Sequence, residues 1–169
     1  MTHSTDNIDD RAPTEPAANK DRDPGAEWFA HGPGLAFQCT LCGNCCTGPE
    51  GYVLVSDAEV AGLAKRFNVS TTEFVERYTH QTARGRSLKE HLTPSGYDCV
   101  FLDREKIPGK AVCGVYEDRP AQCRTWPFWD SNLHSRGAWE RAKRTCPGMD
   151  KGKTYSVQQI RVLRDVIDI

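Results

Sequence analysis

Cys39-Thr40-Leu41-Cys42-Gly43-Asn44-Cys45-Cys46 puts four cysteines into eight residues of a chain that has eight among 169. Thiolates two residues apart can reach one ion or cluster when the backbone between them turns tightly. Gly43 and Asn44 are residue types that enter such turns at little steric cost. Gly32-Pro33-Gly34 and Gly48-Pro49 bracket the run, so its backbone is expected to be a loop free to bend round a ligand. Neighbouring residues of an extended chain point to opposite sides. Cys45 and Cys46 are therefore expected to turn toward different centres, which calls for two metals or a polynuclear one.

The other four cysteines, Cys99, Cys113, Cys123 and Cys146, are spread along the chain, the last followed by Pro147. Eight thiolates suit two four-thiolate sites. The expected division is Cys39, Cys42, Cys45 and Cys146 on one centre, and Cys46, Cys99, Cys113 and Cys123 on the other. C-x2-C-x2-C with a remote Cys-Pro follows the spacing of bacterial ferredoxin ligands, although here the remote cysteine is about a hundred residues away. Zinc sites more often pair two C-x2-C knuckles, and one knuckle-like run is present. An iron–sulfur cluster is the favoured cofactor and zinc the alternative. Two other readings weigh less. Cys99 or Cys113, taken singly in a strand, would pass for a small buried hydrophobe. Cys123, beside Arg124, could be an activated nucleophile, but no histidine stands in a triad-like arrangement. His3, His31, His80, His91 and His134 lie in polar surroundings and are expected at the surface.

Outward from the cysteines, the sequence suits one small domain. Over residues 1–27, seven acidic side chains face three basic ones among three prolines, so a disordered acidic tail is expected there, with a metal-binding domain over 28–169. The start has no apolar stretch of signal-peptide type, and no run approaches the roughly 20 apolar residues of a membrane span. A cytoplasmic protein that meets no membrane is expected, and in that reducing compartment clustered cysteines point to metal or catalysis rather than cross-links. With 22 basic against 23 acidic residues, the net charge of −1 gives no field for nucleic acid. Ser56-x-x-Glu59 and Ser70-x-x-Glu73 predict helices, the first over about Asp57 to Phe67 and the second with Phe74 and Tyr78 on one face. The pair could be a helix-turn-helix, but Glu73 and Glu76 outweigh Arg77 on the would-be recognition helix, and a scaffold role is expected. Tyr52 to Val55 reads as a short strand. Tyr97 to Asp103 and Lys110 to Tyr116 read as a hairpin around Pro108-Gly109, with Cys99 on one strand and Cys113 on the other. Asp118 would cap a helical turn containing Cys123, and Ser156 with Gln159 would open a closing helix striped by Val157, Ile160, Leu163, Val166 and Ile167. The fold class is α+β: irregular metal-organised cysteine loops, a short hairpin and a few short helices.

Four blocks now stand together: Phe37 to Cys46, Cys99 to Asp103, Cys113 to Phe128 and Cys146-Pro147-Gly148. In these the sequence resembles the CxxCxxCC cysteine-cluster family, the YkgJ-like zinc- or iron-chelating proteins. The resemblance implies that all eight cysteines serve one metal-binding module, and it implies no agreed reaction. Some members are attached to a flagellin lysine methylase, an activity not carried over here. Between Arg119 and Arg144, six basic residues face Asp130 and Glu140. That surplus would offset the negative charge of four-thiolate centres, or simply form a solvated face. Arg119 and Arg124, inside the cysteine blocks, are the expected donors behind the cofactor's sulfur ligands. Trp126, Phe128, Trp129 and Trp139 are expected either to shield the centre from water or to pack as ordinary core. The function expected is an iron–sulfur protein acting in electron transfer or as the redox centre of a modifying enzyme, with an electron-transfer or other protein partner. The alternative is a zinc-stabilised interaction or metal-handling module. No Walker A, G-x-G-x-x-G, G-x-S-x-G or H-E-x-x-H pattern is present.

Overall fold

The computed structural model describes residues 27–167. The tail expected over residues 1–27 lies outside that range except for Glu27, whose carboxylate is bonded to Arg161 and Arg164 near the far end of the chain.

Ser56 accepts a hydrogen bond from the Glu59 N–H while the Glu59 carboxylate accepts from the Ser56 N–H, and this box opens α1 (Asp57–Phe67). The helix ends at Asn68, whose left-handed backbone lets its N–H reach two carbonyls of the last turn. Ser70 caps α2 (Thr71–Tyr78) through the Glu73 N–H. Both helices put their apolar faces into a first core of Val60, Leu63, Phe74, Leu88, Phe101 and Val115, with Phe74 fully buried. At its edge the exposed Phe67 stacks on Phe101 at 5.5 Å, and Tyr78 lies 5.0 Å from Phe74. The pair serves as scaffold: Arg66 reaches across from α1 to Asp118 at 2.6 Å and to the Gly114 carbonyl.

A second core gathers Phe29, Leu35, Phe128, Trp139, Met149 and Ile160. It lies under β1 (Leu35–Phe37), which pairs antiparallel with β9 (Lys153–Tyr155), and under α5 (Arg136–Thr145) and α6 (Val157–Arg164). The Ser156–Gln159 box opens α6 as expected, and Ile160 is fully buried. The apolar stripe outruns the helix, so Val166 is half-exposed beyond its end.

Between the cores the strands are short. A three-stranded sheet sets β2 (Thr47–Gly48) and β5 (Glu90–Thr93) on either side of β6 (Gly96–Cys99). β3 (Thr79–Thr82) and β4 (Gly85–Leu88) form a hairpin, as do β7 (Leu102–Asp103) and β8 (Val112–Cys113). α3 (Ala121–Thr125) and α4 (Asp130–Leu133) are single turns. The architecture is α+β.

Three local expectations change. Tyr52 to Val55 forms only a bridge, Leu54 opposite Ser87, and no strand of its own. The predicted hairpin carries Cys113 opposite Leu102, whereas Cys99 sits one strand earlier, opposite Glu90, because the chain bends between Cys99 and Leu102. Asp118 does not cap the turn that contains Cys123. It closes a 3-10 turn (Tyr116–Asp118), and the first N–H of α3, from Ala121, is taken by the Glu59 carboxylate at 2.6 Å.

Candidate metal centre

The cysteine loop is fastened along its length. The Gln38 N–H donates to the Gly148 carbonyl at 3.0 Å, and the Ala111 N–H to Leu41 at 2.8 Å. The Asn44 side chain donates to Thr145 at 2.6 Å, and the Cys99 N–H to Cys46 at 2.9 Å. Two left-handed residues, Leu41 (φ 56°) and Gly43 (φ 76°), curl the chain between those ties. Gly43 supplies the expected freedom. Asn44 works instead through its side chain, and the other strained position falls to leucine, where a left-handed backbone costs about 1–2 kcal/mol.

The Cys46 N–H closes a turn onto the Gly43 carbonyl at 2.8 Å, so Cys45 and Cys46 do not sit on extended backbone. Their sulfurs lie 3.6 Å apart on the same side. The expectation that they diverge is corrected by that turn.

Both sulfurs face a cavity of about 210 Å³ between the two cores. Cys99 from β6, Cys113 from β8 and Cys123 from α3 join them on its wall, and Cys39 borders it. Leu88, Phe101 and Val115 extend the first core to this wall. Trp126, which packs against the second core, closes it from the other side with Trp129, 4.8 Å away edge to face. The remaining aromatics expected around the centre, Phe128 and Trp139, pack in the second core instead.

Cys42 and Cys146 do not line this cavity. Cys146 is buried in the second core, with the Trp126 indole N–H 3.5 Å from its sulfur, and its segment runs beside the loop through the Gln38–Gly148 and Asn44–Thr145 bonds. Among the described residues no three cysteine, histidine, aspartate or glutamate side chains stand at the mutual spacing of one ion's ligands. What the fold brings together is the wall of thiols, not a closed coordination shell. His31, His80, His91 and His134 are all exposed.

Charge around the wall is uneven. Arg119 lines the cavity, its guanidinium 3.8 Å from the Tyr116 ring centroid. A hydrogen bond from Cys46 lowers the Cys45 thiol to about 7, and Arg119 adds to that effect. The same bond, with burial, raises Cys46. Burial holds Cys99 up at about 11 and raises Cys113 and Cys123. Cys45 thus becomes a thiolate more readily than Cys46, Cys99, Cys113 or Cys123. Arg124 does not reach the cavity; it donates to the Arg119 carbonyl at 2.5 Å and so acts on Arg119.

A third arginine at the site has no signal in the sequence pattern. Asp98, buried beside Cys99, accepts two bonds from Arg104, at 2.7 and 2.9 Å, and one from Thr47 at 2.6 Å. This network clamps β2 to β6, and the positive charge of Arg104 is felt at Cys46. Arg104 stands in the charged run Asp103 to Lys106, which by pattern alone reads as a solvated turn. Gln122 was equally hidden: buried on the cavity wall, it bonds the Leu54 N–H and the Tyr52 carbonyl.

A family model described as "Putative zinc- or iron-chelating domain", CxxCxxCC, matches residues 38–147, from the start of the cysteine loop to the proline after Cys146. The chain belongs to the CxxCxxCC family. The uncharacterized protein MJ0661 of Methanocaldococcus jannaschii is 28% identical over 95 residues, 56% of this chain and 46% of that protein. The chain thus spans about half the length of this relative. No solved structure matches. No helix among the described residues is long and apolar enough to cross a membrane.

Proposed function

We propose that this CxxCxxCC domain holds iron in a polynuclear thiolate centre, an iron–sulfur cluster, and serves as a redox centre for a protein partner in the cytoplasm. The observation that carries the reading is the number of thiols on one wall: Cys45, Cys46, Cys99, Cys113 and Cys123, with Cys39 at the border. One tetrahedral ion takes four ligands, so five or six thiols round one cavity favour more than one metal atom. Cys39, Cys42 and Cys146 form the second ligand group of the proposal, along the seam where the loop meets the segment around Gly148. This moves Cys45 from the division expected by spacing to the company of Cys46.

When bound, such a cluster supplies one-electron chemistry at a potential set by charge, hydrogen bonds and solvent access. The chain's own residues supply those three controls. Arg119 offsets thiolate charge, Arg104 adds positive charge near Cys46, and Trp126 and Trp129 restrict water. The 3.6 Å between the Cys45 and Cys46 sulfurs is close to the roughly 3.8 Å between two thiolates on one tetrahedral ion, and it suits iron and zinc alike.

Anaerobic purification from cells grown without added metal, followed by an absorbance spectrum and assay of iron, zinc and acid-labile sulfide, decides between the two. Iron with matching sulfide and a broad visible band is expected. Zinc near two per chain in a colourless protein would overturn the redox reading in favour of a structural or metal-handling module.

A further inference from the structure

On the far side of Cys39 lies a second, open cavity of about 430 Å³, within the roughly 300–1,000 Å³ of small-molecule sites. Arg119, Arg124 and Lys153 line it, and no aspartate or glutamate does. The side chains are held in register. Arg119 lies against the Tyr116 ring and donates from Nε to the Tyr116 carbonyl at 2.9 Å, and Arg124 is tied to the Arg119 carbonyl. The Lys153 ammonium sits 5.2 Å from the centroid of the Tyr155 ring. Among the described residues, Arg119 and Lys153 have no carboxylate partner, and Arg124 has only Glu59, at 4.0 Å.

Three cations line one concavity; Arg119 also faces the thiols, so Arg124 and Lys153 bring the positive charge that an anion here would offset. Guanidinium groups suit phosphate, which they can bind through two parallel hydrogen bonds. One carboxylate would leave most of that charge uncompensated, whereas a phosphate monoester brings close to two negative charges. Tyr116 and Tyr155 each carry a cation over one face, Arg119 at 3.8 Å and Lys153 at 5.2 Å, and the Trp126 ring on the same wall suits a planar body attached to the anion. We propose that this cavity binds a small phosphate monoester of a planar aromatic compound, its phosphate between Arg119, Arg124 and Lys153 and its ring against Trp126. This cavity shares Cys39, Tyr116, Arg119 and Trp126 with the cysteine cavity, whereas Arg124 and Lys153 line this one alone, so those two carry the test.

Phenyl phosphate is the probe, titrated into the full-length protein as isolated, with binding followed by calorimetry and tryptophan fluorescence and metal content assayed in every sample. One saturable site is expected, and inorganic phosphate and phenol should each bind at least tenfold more weakly. Lys153→Gln should weaken binding at least tenfold with metal content unchanged and Arg124→Gln should weaken it at least tenfold, whereas Lys151→Gln, an exposed lysine outside the cavity, should bind as the parent does. AMP tests the source of the ligand: tighter binding than phenyl phosphate indicates a nucleotide, weaker binding a smaller ring. Absence of saturable binding would overturn the proposal, as would undiminished affinity in both substituted proteins. Inorganic phosphate binding as tightly as phenyl phosphate would overturn its aromatic half.

Discussion

Gly43 decides whether Cys45 and Cys46 face one cavity. Its φ is 76°, and a Cβ there would come 2.5 Å from the Cβ of Ala111. Alanine at this position is expected to cost about 1–2 kcal/mol for the left-handed backbone and more for the collision, opening the turn that brings the two sulfurs together. Gly43→Ala should lower both the urea midpoint and the metal bound per chain. Gly62→Ala is the matching control. That glycine lies inside α1 with open space where a Cβ would go, and alanine should stabilise there by about 0.5–1 kcal/mol. Asp98 offers a second test at this scale. Asp98→Asn removes the charge that holds Arg104, and a charge-assisted hydrogen bond of this kind contributes about 1.5–3 kcal/mol. The side chain of Arg104 is 38% exposed, so water recovers part of the loss, and a fall of about 2 kcal/mol in denaturant-measured stability is expected. Arg104→Lys should not restore what Asp98 needs, because an ammonium cannot present the two nitrogens that Asp98 accepts from.

Among the elements, α1 and α3 are joined through one carboxylate. Glu59 completes the capping box with Ser56 and also accepts the Ala121 N–H, so the helix that carries Cys123 is docked onto the first turn of α1. Its hydrogen bonds to the Ser56 and Ala121 backbone hold its acidity above that of an ordinary glutamate, against the opposing effect of burial. Glu59→Gln should cost about 1–2 kcal/mol, and because it loosens Cys123, metal retention against a chelator should fall with it. The sequence made α1, α2 and α6 readable because each begins with a serine and a glutamate or glutamine three residues on, a local device that works whatever surrounds it. The β3–β4 and β5–β6 hairpins were not readable. His80, Gln81, His91 and Leu92 are exposed, so those strands carry no apolar alternation, and what pairs them is backbone bonding across Gly85 and Gly96. At the site, a shared centre for Cys46, Cys99, Cys113 and Cys123 was expected from dividing eight thiols into two fours, and all four line one cavity, but Cys39 and Cys45 line it too. The place of Cys45 was not legible, because it depends on a turn whose closure rests on contacts with Ala111 and Thr145, about 65 and 100 residues away in sequence. Arg124 was read from its position next to Cys123, yet on a one-turn helix adjacent residues face different ways.

Across the described residues, two apolar cores meet at the cysteine cavity, and the first of those residues are tied to α6. Trp28 donates to the Leu133 carbonyl at 2.7 Å, and just before it Glu27 holds Arg161 and Arg164 at 2.6 and 2.5 Å. Those contacts fix the first described residues to α6, whose Ile160 fills the second core. If metal joins the cores across the cavity, chelation should turn one cooperative melting transition into two, the second core surviving on this independent closure. Calorimetry of the protein with and without chelator checks it, and a single transition at a lower temperature would show that the cores fold as one without metal. The closure has its own pH signature. The Arg161 hydrogen bond, helped by Arg164, holds the Glu27 carboxyl below its ordinary value despite partial burial. A carboxyl depressed in the folded state adds stability that is fully present above its unfolded pKa, about 4.3. That stability disappears as pH falls through the lower folded value. Stability measured by urea at successive pH values from 7 to 3 should therefore decline in the acid range. Glu27→Gln should start about 1 kcal/mol lower at pH 7 and fall less steeply, so that the two curves converge at the acid end. Curves that stay parallel to pH 3 would mean that the ion pairs to α6 contribute nothing to holding the second core closed.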